Sequence, residues 1–236
     1  FPSLVFVILV SLLFGYILLS PFDLIEISKS AIYSILFLSN IYFFLDSSYW
    51  ANLNEYKFFI HTWSLGIEMT FYILMPLFLF LIYRFNNKFK ILICLLTILL
   101  SIFLIVFVIY KGPTIETAKF FGLFYGKEVS DVLFYLIPFR FFEFLFGSII
   151  FFIPEKKFNK KIKQFFFLIG LSLIFFSLYL ISPDHKYQSL LLILSLIGSS
   201  LIIYFKDASQ VNRILDNKVA IFIGLISYSL YLVHWP

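Results

Sequence analysis

The chain has 236 residues, 62% of them hydrophobic and only 13% charged, with a mean hydropathy of +1.01. A soluble domain carries about 45–50% apolar and about 25% charged residues, so this composition excludes an ordinary soluble globule and indicates an all-α, polytopic membrane bundle, read as one domain over residues 1–236. The net charge of +5 is not a sign of nucleic-acid binding, because the lysines cluster in short loops between apolar spans, where membrane topology accounts for them.

About 20 apolar residues cross the hydrocarbon core. That criterion predicts spans at about 4–20, 62–83, 91–110, 133–153, 165–182 and 189–205, with a last one entered near 220, about seven in all. Residues 28–45, dotted with Ser30, Ser34, Ser39 and Asn40, form a weaker segment, expected to be a re-entrant or interfacial helix. The single cysteine, Cys94, falls inside an apolar span, as core or lipid-facing, and can form no intrachain disulfide. Phe1-Pro2 carries no initiator Met and Ser3–Ser20 does not resemble a cleavable signal; Pro236 ends the sequence abruptly. Both ends read as cut, so the expectation is an internal piece of a longer protein.

Loop charges set the orientation. Arg84, Lys88 and Lys90 lie in one connection, Lys156, Lys157, Lys160, Lys161 and Lys163 in a second, and Lys206, Arg213 and Lys218 in a third. In the alternate connections Lys111, Lys119 and Lys127 are offset by Glu116, Glu128 and Asp131, and the Pro183–Gln188 loop has only Lys186. The positive-inside rule places the first set in the cytoplasm and His61 at the outer face.

Three constellations interrupt the apolar spans. In His61-Thr-Trp63-Ser64-Leu-Gly66-Ile-Glu68, a continuous helix would set 61, 64 and 68 on one stripe. An ionisable group in a span is costly and by default functional, which favours a functional Glu68 over one merely paired to an arginine of another helix. His61 reads equally well as a proton-handling residue or an interfacial one, and Trp63 as a site residue or a belt anchor. In Pro138-Phe-Arg140-Phe-Phe-Glu143-Phe-Leu-Phe-Gly147, Arg140 and Glu143 are i,i+3 neighbours; Arg140 could pair with Glu143 or with Glu68, and its guanidinium also suits a phosphate or an acyl oxyanion. Gly147 extends that stripe, where it would admit another helix closely. In Ile226-Ser227-Tyr228-Ser-Leu-Tyr231-Leu-Val-His234-Trp-Pro236, Ser227, Tyr231 and His234 share one helical face. Two further groups lie in loops: Asp184-His185, read as solvated, and Asp46, Glu55 and Lys57 with Tyr49 and Trp50, which could touch an acceptor or rest at the interface. No metal-ligand spacing and no Gly-x-Ser-x-Gly elbow occurs, so neither a metal nor a serine-hydrolase triad is expected.

In this order the three constellations resemble the acyltransferase-3 family of integral membrane acyltransferases. His61 to Glu68 resembles its His-Thr-Trp-Ser-Leu-x-x-Glu motif, and Phe71, Tyr72 and Pro76 resemble the Phe-Tyr pair and the proline that the family carries next. Arg140 to Gly147 resembles its Arg-x-x-Glu-Phe-x-x-Gly helix; Ser227 to Pro236 resembles its Ser-Tyr-Ser-Leu-Tyr-Leu-Trp-His-Trp-Pro helix. Phe1-Pro2-Ser3-Leu4 and Asn40-Ile-Tyr42 also fit. Two departures stand out. Met69 and Thr70 replace a second acid and a glutamine, and the family's first two helices, one bearing an arginine followed by a histidine, are not found.

The resemblance implies an O-acyltransferase of the bacterial inner (plasma) membrane. It would move an acyl group, usually acetyl, from cytoplasmic acyl-CoA to a hydroxyl of an exported glycan or lipid-linked sugar. Lipopolysaccharide O-antigen, capsule, exopolysaccharide, peptidoglycan and a small glycoside all stay open as acceptors. Acyl-CoA would be a co-substrate, with no tightly bound cofactor; membrane lipid, the glycan acceptor and the N-terminal helices of the same protein would be its partners. The resemblance assigns Glu68, His61, Arg140 and Glu143 to catalysis and Trp63, Ser64, Tyr72, Ser227, Tyr228, Tyr231 and His234 to substrate binding. The base would be the histidine of the missing helix, so these residues alone are expected to be inactive. The competing class is a transporter or flippase with an intramembrane charged path, which inverted repeats would favour; none is evident.

Overall fold

The computed structural model describes residues 2–46, 57–111, 129–154, 156, 158–180, 188–205 and 217–236 (188–191 by backbone). All regular structure among them is helical. The helices are α1 (Pro2–Leu18), α2 (Pro21–Ile35), α3 (Ser39–Asp46), α4 (Trp63–Ile82), α5 (Asn87–Lys111), α6 (Val129–Tyr135), α7 (Phe141–Phe152), α8 (Lys160–Leu180), α9 (Gln188–Tyr204) and α10 (Lys218–Val233), with 3₁₀ turns at Ile60–Thr62 and Ile137–Phe139. Several starts follow from side-chain caps. Ser20 accepts the Asp23 N–H ahead of Pro21, Asn86 accepts that of Phe89, and Asn217 that of Ala220, each satisfying a donor that the first helical turn leaves open.

Three helical segments, Ile60–Ile82, Asn87–Lys111 and Lys160–Leu180, are long and apolar enough to cross a membrane; Pro2–Leu18, Phe141–Phe152, Leu192–Tyr204 and Lys218–Val233 are apolar but shorter. Their outward faces carry large apolar side chains, such as Phe151 at 86% exposure. Such a surface suits lipid rather than water.

The chain forms two compact units. The first comprises Phe1–Pro76, Gly126–Ile137 and Phe222–Pro236. Its core gathers Leu4 and Ile8 of α1, Ile27 and Ala31 of α2, Phe59, Leu65 of α4 and Leu232 of α10. The second comprises Leu77–Tyr125 and Pro138–Ile221, where α7 packs on α5 and α9, and α8 on α9. Cys94 is buried in this unit, as core rather than lipid-facing surface.

Two segments depart from the sequence expectation. Residues 28–45 are not one helix but the end of α2, a turn and α3. Leu38 N–H bonds the Tyr33 carbonyl at 2.8 Å and Phe37 N–H that of Ser34 at 3.2 Å, the paired bonds of a Schellman ending. Phe37 takes the left-handed position (φ 56°), where glycine is usual, and its side chain packs against the core of the first unit. The expected continuous span 133–153 is broken between Tyr135 and Phe141 by the 3₁₀ turn containing Pro138. Proline has no N–H to donate and disfavours helix in the residue before it, so the chain leaves α6 and restarts as α7.

The glycines also divide differently from expectation. A Cβ at Gly147 would meet nothing within 4 Å, so no described helix approaches there. The close approach is elsewhere: a Cβ on Gly170 would lie 2.7 Å from the Gly198 carbonyl oxygen, and one on Gly198 2.6 Å from that of Gly170. α8 and α9 therefore pack backbone to backbone, as small residues permit in membrane helices. Gly170→Leu or Gly198→Leu is expected to cost about 1–3 kcal/mol through overpacking. A thermal midpoint in detergent several degrees below that of the parent would show it; an unchanged midpoint would contradict this packing.

Candidate functional site

The first unit holds two of the three constellations. His61 and Thr62 lie in the 3₁₀ turn ahead of α4, so His61 does not share the register of Ser64 and Glu68. The single stripe over 61, 64 and 68 is thereby corrected. The turn is fixed by small polar side chains from the last turn of α2 and the first turn of α3. Ser34 Oγ and Thr62 Oγ1 share a hydrogen bond at 2.7 Å, Ser39 Oγ donates to the Thr62 carbonyl at 2.7 Å, and Thr62 Oγ1 donates to the Phe59 carbonyl at 2.7 Å. Asn40 Nδ2 donates to the Tyr135 carbonyl at 3.2 Å. All four of Ser34, Ser39, Asn40 and Thr62 are buried, where unmet hydrogen bonds are costly. Gly66 seats this arrangement on α4, since a Cβ there would stand 2.6 Å from Asn40 Oδ1 and 3.0 Å from the Phe37 carbonyl oxygen.

The end of α10 closes on the same turn. Tyr231 Oη donates to the His61 carbonyl and lies 2.6 Å from Ser64 Oγ. The His61 ring meets the rings of Tyr231 and His234 edge to face, each at a centroid distance of 5.3 Å. His61 is buried, near the main chain of Phe58 and Leu232, and neither ring nitrogen has a hydrogen bond of normal geometry. Among the described residues, then, this buried imidazole is held only by contacts outside normal hydrogen-bond geometry, a departure from the usual satisfaction of buried polar atoms. His234, exposed, is turned by a 2.5 Å contact between Nδ1 and the Tyr231 carbonyl. Trp235 donates its indole N–H to the Lys57 carbonyl at 3.0 Å, and Lys57 Nζ pairs with Asp46 at 2.8 Å. Glu55, Tyr49, Trp50, Asp184 and His185 lie outside the described residues.

Glu68 is half-buried on α4 and accepts a 2.6 Å hydrogen bond from the exposed Tyr72 hydroxyl one turn on. Trp63 meets the Phe134 ring at a centroid distance of 4.1 Å with the planes tilted by 41°, and Tyr135 edge-on at 6.0 Å. Tyr228 is exposed. Ser227, also exposed, donates to the Gly224 carbonyl of its own helix at 2.7 Å. Of the Ser227–Tyr231–His234 face, then, the structure brings Tyr231 and His234 to the His61 turn and leaves Ser227 outward.

In the second unit, Arg140 stands at the cap position of α7 and faces Glu143, with Nε–Oε1 at 2.8 Å and an Nη2–Oε2 hydrogen bond at 3.0 Å. Both side chains are largely buried, 14% and 17% exposed. Of the two partners the sequence left open, the guanidinium takes Glu143.

The acyltransferase-domain family model matches residues 4–236. The chain belongs to that family. It is a membrane protein, as the family is, and its long apolar helices agree. O-acetyltransferase OatA of Staphylococcus aureus (strain NCTC 8325 / PS 47) is 30% identical over 247 aligned positions, covering 100% of this chain and 38% of the relative. An uncharacterized protein of Haemophilus influenzae is 28% identical over 199 positions, 80% of this chain and 75% of that protein. The chain thus spans 38% of the length of the staphylococcal relative. No solved structure matches.

Sequence reasoning about this acyltransferase domain missed the supporting residues Ser34, Ser39, Asn40 and Thr62. Their signal was present as Ser30, Ser34, Ser39 and Asn40 dotted through an otherwise apolar stretch, read only as an argument against a crossing. Tyr231→Phe is expected to leave Ser64 Oγ and the His61 carbonyl without their shared partner. The cost is about 1–3 kcal/mol, read as earlier chemical unfolding; an unchanged midpoint would remove Tyr231 from the architecture of the turn.

Proposed function

We propose that this domain is the membrane-embedded part of an O-acyltransferase, with about seven crossings. It would move an acetyl group from cytoplasmic acyl-CoA to a hydroxyl of a cell-surface or lipid-linked glycan at the bacterial plasma membrane. The observation that carries the reading is an alignment to an O-acetyltransferase over 100% of the chain, along which three charged or polar motifs sit in otherwise apolar helices.

The reaction needs a base for the acceptor hydroxyl and donors for the oxyanion formed when that hydroxyl attacks the thioester carbonyl. The C–S bond then breaks, coenzyme A leaves as the thiol, and the ester remains on the acceptor. In this reading the base is the histidine of the family's arginine–histidine helix, and Glu68 orients it. Arg140 meets the donor phosphates or the developing negative charge, while Glu143 holds the guanidinium plane. His61, buried among apolar and aromatic groups, orders the turn that presents Trp63, Ser64 and Glu68, and Tyr231 and His234 border the acceptor path with Tyr72, Ser227 and Tyr228.

The test is full-length protein in proteoliposomes, given acetyl-labelled acetyl-CoA on the cytoplasmic side and membrane glycan on the other. Base-labile label on the glycan is the expected result. Glycan that crosses the bilayer without becoming labelled would replace the acyltransferase with a transporter.

A further inference from the structure

Within the second unit, α5, α7, α8 and α9 enclose an apolar groove of about 430 Å³. That volume falls in the range of ligand pockets, about 300–1,000 Å³. Its walls include Leu95 of α5, Phe146 and Ile150 of α7, Phe166 of α8 and Leu201 of α9; Ser200 and Tyr204 are its polar members. The Tyr204 hydroxyl is already engaged, donating to the Pro154 carbonyl at 3.1 Å. Nothing in this lining suits a sugar or a nucleotide, and an acetyl group is too small to fill it. A hydrocarbon chain fits its chemistry.

One end of the groove is floored by stacked aromatic rings, Phe166 on Phe205 at 5.1 Å with Phe158 edge-on to Phe205 at 5.4 Å. At that end α7 finishes, α8 begins and α9 finishes. There too the Lys90 ammonium of α5 lies 5.5 Å from the centre of the Phe152 ring. Lys156, Lys160, Lys161 and Lys163 lie in the connection and first turn of α8. Among the described residues of this unit the acid is Glu143, paired with Arg140 on the opposite end of α7; Glu155 lies outside the described residues. An apolar slot ending in a basic rim is complementary to a lipid with a negative headgroup, because lysines near a membrane surface attract anionic lipid.

We propose that this groove seats one acyl chain of an anionic membrane phospholipid, with its headgroup on Lys90 and the lysines at the start of α8. The site is separate from the residues assigned to acyl transfer and does not depend on that assignment.

The test uses full-length protein in nanodiscs doped with photoactivatable acyl-chain phosphatidylglycerol or, in parallel, phosphatidylcholine, with labelled positions mapped by mass spectrometry. Label should concentrate on Ile150 and Leu201 over outward-facing residues such as Phe175 and Tyr179, with a roughly tenfold preference for phosphatidylglycerol. Lys90→Gln with Lys160→Gln and Lys161→Gln should erase the headgroup preference while leaving label in the groove. Leu201→Trp should remove the label itself. Three outcomes overturn the proposal: uniform label over all outward helix faces, equal label from the two lipids, or a groove protected from both because another protein segment covers it.

Discussion

Glu68→Gln is expected to lower acetyl transfer by roughly 10²–10⁴-fold, the range that acid–base and orienting groups supply, with protein level and unfolding unchanged. Gln keeps the size of the side chain and an oxygen for the Tyr72 hydroxyl, which bonds Glu68 at 2.6 Å, so only the charge is lost. Tyr72→Phe separates the two contributions: it removes one hydrogen bond, about 0.5–1.5 kcal/mol, and leaves the carboxylate, so transfer should fall by tenfold or less. The measurement is initial rate at saturating acetyl-CoA in membranes with matched protein amounts. Full activity in Glu68→Gln would remove the carboxylate from the reaction and leave the His61–Glu68 motif a packing element.

A second large effect belongs to Arg140. Its partner Glu143 is buried at 17% exposure, so Arg140→Ala strands a carboxylate in an apolar helix. Losing one member of a buried pair costs roughly 3–5 kcal/mol, a loss that should appear as low yield and early unfolding on fluorescence-detected size exclusion. Glu143→Gln introduced alongside should recover most of the stability, because the stranded charge is gone. It should not recover acetyl transfer, which in the proposed reaction needs the guanidinium itself. If the double variant regains activity together with stability, Arg140 is structural only. If the single variant is as stable as the double, the ion pair does not carry the energy assigned to it.

The sequence exposed some of this and hid the rest for identifiable reasons. Membrane class followed from composition, since hydrophobic excess on this scale has few other outcomes. The Arg140–Glu143 pair was legible because i,i+3 neighbours on a helix meet whatever surrounds them. The break at Pro138 was not: membrane helices tolerate proline when neighbours satisfy the freed backbone, and Leu133–Phe146 contains no other breaker. The stripe through His61 failed for a related reason. Phe59, at the head of the 3₁₀ turn, supplies no side-chain cap, so the sequence carried no mark showing that a separate turn precedes α4. Ser34, Ser39 and Asn40 lie 28, 23 and 95 residues from the partners they bond, and separations of that size leave no periodic trace.

The contact between α8 and α9 has a genetic consequence. At most crowded helix crossings a bulky substitution can be rescued by shrinking the residue opposite. Here the residue opposite is already glycine, and each carbonyl occupies the space that the other's side chain would need. Neither position has a smaller replacement to offer. A suppressor selection starting from Gly170→Ala or Gly198→Ala should therefore return reversions, or changes that shift a whole helix, and no compensating substitution at the facing site.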